Sequence, residues 1–305
     1  MNRVSSSLLT VMFLCGLCWL PWSAFGQDPI VPELARIPEG SFIMGSGKDE
    51  NNPPHRVEVS SFYIAKTEIT VGQWRAFTEA QNVEFPWKAY HFLQWVRRPA
   101  GWSIPDNWAM YYVDWYEAIW YANWLSEQHD LEPAYGFDVP AMRRYIYDWE
   151  RGVMPPDVTW DREASGYRLP TEAEWEYVAT EGGSMEQASV EELLQVAWVY
   201  ENSDGKVKPP GQKPPNSFGV FDILGNVAEW CWDYYQRDYY LTAPVRNPAG
   251  PNSGEDAYFG DRQDIRVMRG CDWSTPVEFC APALRRRTVA AQRTQIGIRL
   301  ARNAE

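Results

Sequence analysis

The chain has 305 residues, 28 of them basic and 41 acidic, for a formal net charge of −13. That balance, with no basic run denser than Arg285-Arg286-Arg287, excludes nucleic acid and anionic membrane as natural partners. Aromatic residues make up 15% of the chain, enough to build a core without long regular elements.

The chain opens with Arg3, an apolar run from Leu8 to Leu20, and the small-x-small triplet Ala24-Phe25-Gly26. This is the anatomy of a secretory signal peptide over residues 1–26. The run is too short to span a bilayer. Cys15 and Cys18 each follow a leucine, which argues against a lipid-anchored cysteine. The expected product is one domain over residues 27–305, periplasmic or secreted, with no membrane anchor after cleavage. Cys231, Cys271 and Cys280 survive processing. In an oxidising compartment three cysteines allow at most one internal disulfide and leave one thiol over.

From Ile37 to Thr70 the pattern is short strands broken by Gly40, Gly45 and a Gly47–Pro54 loop, with Val57 and Val59 alternating against Arg56 and Glu58. Three helices are predicted by capping boxes: Thr70 with Gln73, Asp114 with Glu117, and Thr171 with Glu174. In the second, Ala118, Tyr121, Ala122 and Leu125 form one apolar face. Phe85 to Tyr112 interleaves aromatic residues with prolines and has no clean period, so it reads as an aromatic-walled groove or an irregular packed layer. Pro140 to Asp161 reads as a second insertion, amphipathic at first and then turning at Pro155-Pro156. The three histidines stand in dissimilar settings and read as structural or surface residues.

After a Gly/Pro/Lys loop, Asn216 to Trp232 (NSFGVFDILGNVAEWCW) alternates small residues, acids and large aromatics. Glycines inside strand-like runs mark bulges or close backbone approach. Two carboxylates flanking such a bend can offer oxygens to a hard cation. They can equally belong to a strand and turn whose acids face water. The last forty residues read as paired short strands with a cysteine-bearing loop between them.

FGVFDILGNVAEWCWD resembles the G-L-Y-D-M-x-G-N-x-W-E-W run of the formylglycine-generating enzyme (sulfatase-modifying factor) family. IPEGSFIMGS (37–46), KTEITVGQW (66–74), YRLPTEAEWEYVA (167–179), VMRGCDWS (267–274) and IGIRLAR (296–302) resemble other family segments in the same order. The resemblance runs from Ile37 to Arg302 and implies an α+β, C-type-lectin-like fold with little regular secondary structure. It implies a structural Ca²⁺ held by the side chains of Asp222 and Glu229 and the carbonyls of Gly225 and Val227. It also implies oxidation of a cysteine in a protein or peptide substrate, through Cu(I) held by two thiolates, ligands that suit a soft ion. The family pattern R-G-G-S-F-x-C-x-x-x-x-C meets R-G-C-D-W-S-T-P-V-E-F-C here, from Arg269 to Cys280. Cys280 falls on the second family cysteine and Thr275 on the first. Asp272 stands where a serine shapes the oxygen pocket, and Ala228 where a tryptophan precedes the glutamate. The copper site implied is therefore incomplete, with Cys280, Asp272 and Thr275 as its candidate residues. The expected disulfide is Cys231–Cys271, because both cysteines fall in the family's central core. Two other roles follow from the same resemblance: periplasmic tailoring of a peptide siderophore, as in a pyoverdine-maturation branch, and a non-enzymatic lectin-like binding module.

Overall fold

The computed structural model describes residues 31–304 apart from 49, 84–103, 149–151, 185–188 and 255–263. The segment expected to be a signal peptide and most of the aromatic run from Phe85 lie outside the described residues.

The N-terminal segment folds as β1 (Leu34–Ile37), β2 (Gly40–Met44), β3 (His55–Val59) and β4 (Phe62–Ala65). Val57 and Val59 are buried and Arg56 is exposed, as the period-two pattern requires. The three predicted capping boxes are all formed. They open α1 (Val71–Gln81), α2 (Trp115–Gln128) and, after β7, α4 (Glu172–Ala179). Between α2 and α4 lie β5 (Tyr135–Gly136), α3 (Val139–Asp148), β6 (Thr159–Trp160) and β7 (Tyr167–Arg168). The predicted apolar face of α2 is fully buried, and so is most of its other side, including Trp115 and Trp124. This is a core helix, buried all round, rather than a surface helix with one apolar stripe.

The chain continues through α5 (Val190–Val196), β8 (Ala228–Tyr234), β9 (Ile265–Arg269), β10 (Arg286–Val289), β11 (Ile296–Gly297) and β12 (Ala301–Asn303). One sheet has the order β1-β4-β12-β7, so the first and last described strands both pair with β4 and close the domain. The other has the order β10-β9-β8-β11, antiparallel except where β11 runs parallel to β8. Residues 104–112 include part of the aromatic segment: Ile104, Ala109, Met110 and Tyr111 are buried against the α1–α2 core, which makes that part a packed layer. The architecture is α+β. Among the described residues no helix is long and apolar enough to cross a membrane.

Candidate functional site

Residues 216–227 are not a bulged strand. They form successive turns, with left-handed backbone at Gly219, Asp222, Gly225 and Asn226, and the strand begins only at Ala228. Gly225 is required here, because a Cβ would lie 2.6 Å from the Trp198 backbone. The turns carry both acids inward. Asp222 is 3% exposed and Glu229 0%, so neither faces water.

Glu229 is fully engaged. Its carboxylate receives the Arg299 guanidinium at 2.8–3.1 Å and the Trp175 indole N–H at 2.7 Å. Arg299 also donates to the carbonyls of Ala65 and Phe221, both at 2.8 Å, pinning β4 to the turns. Asp222 is only partly satisfied: Oδ2 accepts the Gly211 N–H at 2.6 Å, while the buried Oδ1 has no partner. Burial raises its carboxyl to about 6, and the neighbouring Glu229 charge pushes the same way.

The sequence did not single out Glu68, 1% exposed, which joins this cluster. Its Oε1 accepts the Asn226 amide at 3.1 Å, and its Oε2 is buried without a partner. Burial and the Asp222 charge hold its carboxyl well above the usual range. A calcium ligand set drawn from Asp222, Gly225, Val227 and Glu229 finds the Glu229 oxygens already engaged by Arg299 and Trp175. The unpartnered oxygens that fit a hard cation are those of Asp222 and Glu68. Among the described residues no group of three or more histidines, cysteines or acids is arranged to hold a metal.

The cysteines depart from expectation. Cys271 is bonded to Cys280, with Cα atoms 5.2 Å apart, and Cys231 is free and buried. The expected Cys231–Cys271 bridge fails on register. Glu229 pairs with Arg269 and Trp230 with Met268. Continued as a strand, Cys271 would fall opposite Val227, about 13 Å along β8 from Cys231. Nor does the chain stay extended. Gly270 takes φ +79°, and the next residues turn. Asp272 organises that turn, accepting the Ser274 N–H at 2.9 Å and the Thr275 hydroxyl at 2.9 Å. A short 3-10 turn over Val277–Phe279 then returns Cys280 to Cys271.

The loop is anchored from beneath. Arg269 pairs with Glu172 at 3.0 Å and with Glu176, and donates to the Pro282 carbonyl at 2.9 Å. Arg285 pairs with Glu172 at 2.9 Å and keeps only 2% of its side chain exposed, so part of the basic run belongs to a buried acid–arginine network. Burial alone would raise the Glu172 carboxyl, but Arg285 and Arg269 outweigh it and hold the group below its ordinary range. Cys280 borders a cleft of about 210 Å³ between this loop and α5. The copper donor set does not fit: Cys280 is no thiolate while bonded to Cys271, and the Thr275 hydroxyl is spent on Asp272.

Comparison with known proteins places this arrangement. The model of the sulfatase-modifying factor enzyme 1-like domain matches residues 23–304. The chaperone protein LppX of Paenibacillus barcinonensis is 30% identical over 236 residues, 70% of this chain and 75% of that protein. The formylglycine-generating enzyme of Streptomyces coelicolor is 25% identical, with 80% of each chain covered. The chain is 27% identical to the serine/threonine-protein kinase pkn1 of Chlamydia pneumoniae over 90% of its own length, but spans only 39% of that kinase. Among solved structures, Treponema denticola variable protein 1 superposes with a TM-score of 0.71 at 29% identity, covering 89% of this chain and 95% of the other. The chain belongs to the family of sulfatase-modifying factor enzyme 1-like, or formylglycine-generating-enzyme-like, proteins.

Proposed function

We propose that this is an exported binding protein for a protein or peptide partner, in which the family's thiol site is closed and does not oxidise cysteine. The observation that carries this reading is the Cys271–Cys280 bond, together with the Thr275 hydroxyl turned into Asp272. The likeness to a chaperone supports a protein partner. A calcium ion on Asp222 and Glu68, steadying the turns above β8, is part of the proposal.

One observation favours a second reading. Reduction of the disulfide would leave two thiols on neighbouring backbone, with Cα atoms 5.2 Å apart, a displaced version of the family's pair. Oxidative modification of a peptide cysteine would then depend on reduction. The experiment is an anaerobic Cu(I) titration of unreduced and of reduced protein, followed by oxygen and a peptide carrying C-x-P-x-R. The proposal expects no copper retained and an unchanged peptide from unreduced protein. Copper and formylglycine from the unreduced protein would overturn it. The same products after reduction alone would install the second reading.

A further inference from the structure

The second insertion, Pro140 to Asp161, has no role at the cysteine loop. Its two halves wall a cavity of about 350 Å³ at the opposite end of β9, lined by Tyr145 of α3 and by Met154 to Val158. The other wall is Tyr116 on α2, Tyr234 on β8, and Asp264 and Arg266 at the start of β9. That size lies at the small end of ordinary ligand sites.

Most donors on this floor are already spent. Arg266, 2% exposed, gives Nε to Asp264 at 2.8 Å and Nη1 to the Trp232 carbonyl at 2.8 Å. Its guanidinium is also sandwiched, 3.6 Å from the Trp115 ring centroid and 3.4 Å from that of Tyr234. The Tyr116 hydroxyl donates to Asp264, and that of Tyr145 donates to Asp114 at 3.3 Å.

Beside Arg266 Nη2, for which the described residues give no acceptor, the cavity offers acceptor and π surface. Asp264 has lone pairs beyond the two it uses. The rings of Tyr116 and Tyr145 meet edge to face at 5.2 Å. Asp157 brings an exposed carboxylate to the rim, with no ion-pair partner among the described residues. Beside it Met154 is 62% exposed, an apolar side chain left in solvent at the mouth. Since the Arg266 charge is already paired with Asp264, the unbalanced charge at the mouth is negative.

The geometry points to a binding site for an organic cation, a primary ammonium on an apolar or aromatic stem. The ammonium meets Asp157 and the tyrosine faces, and the stem lies along Met154 and the inner walls. The source is either a lysine side chain of a partner peptide or a free amine; the chemistry at the wall is the same. The site stands apart from the cysteine loop and does not depend on how that loop is read.

The test is calorimetric titration of the mature protein with phenethylamine and with a blocked pentapeptide carrying one central lysine. Phenylethanol and the norleucine peptide are the neutral counterparts. Saturable binding of a cationic probe is expected, with its counterpart weaker by about tenfold. Both Met154→Lys, which puts a rival ammonium at an exposed position, and Asp157→Asn should weaken it severalfold with the melting curve unmoved. Binding of the peptide without the amine assigns the site to a partner protein, and the reverse assigns it to a free amine. Equal affinity for charged and neutral probes, no saturation by either cation, or indifference to both variants would overturn the inference.

Discussion

At the scale of single residues, unpaired polar atoms mark where a cation would bind. Asp222 Oδ1 and Glu68 Oε2 are buried without partners, and the two carboxylates repel each other. A calcium ion there that binds only the folded state would add roughly 2.7 kcal/mol at a hundredfold excess over its dissociation constant. Chelator should therefore lower the melting temperature of the wild type by several degrees, and Asp222→Asn should abolish that response. Glu229→Gln should destabilise with or without chelator, since it loosens the Arg299 pair. If EDTA leaves the wild type unmoved, no cation sits on these two oxygens. Asp222 was legible as a candidate because its motif is local. Glu68 was not: its partner Asn226 is 158 residues away, and no spacing rule reaches that far. The cysteine pairing was illegible for a related reason. It depends on the left-handed turn at Gly270 and on the Asp272 cap, which together bend a segment that its strand-like neighbours suggested would run straight.

At the scale of elements, capping chemistry was the most readable signal. Thr70, Asp114 and Thr171 each accept an N3 backbone N–H, and the N3 side chain returns the bond to the cap's own N–H. Ser189 with Glu192 opens α5 in the same way. The caps differ in what else they hold. Thr171 serves its own helix, whereas Asp114 also pairs with Arg293 at 2.8 Å in a buried setting. Thr171→Ala should cost about 1 kcal/mol. Asp114→Ala should cost about 3 kcal/mol or more, because it removes a cap and strips a buried arginine of an acid partner. Chemical denaturation of the two variants checks the order, and equal losses would contradict it. The stretch from Asn216 to Val227 shows the limit of local reading. Its glycines marked a bend, but left-handed Asp222 and Asn226 made it a chain of turns rather than a bulged strand.

At the scale of the whole molecule, the buried acids set the pH response. Burial raises Asp114 to about 7 and Asp222 to about 6, and holds Glu68, Asp233 and Asp264 above their ordinary range. A carboxyl raised on folding binds more protons in the native state than in the unfolded chain between its two pKa values. Stability therefore falls as pH rises through that window, here from about 4 to about 7. The net charge of −13 works in the same direction through self-repulsion. With chelator present, the melting temperature should be higher at about pH 5 than at about pH 7.5; a flat or rising profile would contradict this. The fold class and the closure of the domain by its terminal strands follow from segments whose order along the chain was readable. The state of the thiol site was not, because it depends on how the one loop from Gly270 to Cys280 turns back on itself. The most direct test of that state is peptide mapping of the purified protein, alkylated and digested without reduction. A Cys271–Cys280 cross-linked peptide is the predicted result, with Cys231 alkylated only after unfolding. A freely alkylated Cys280, or a link from Cys231 to either of the others, would contradict it.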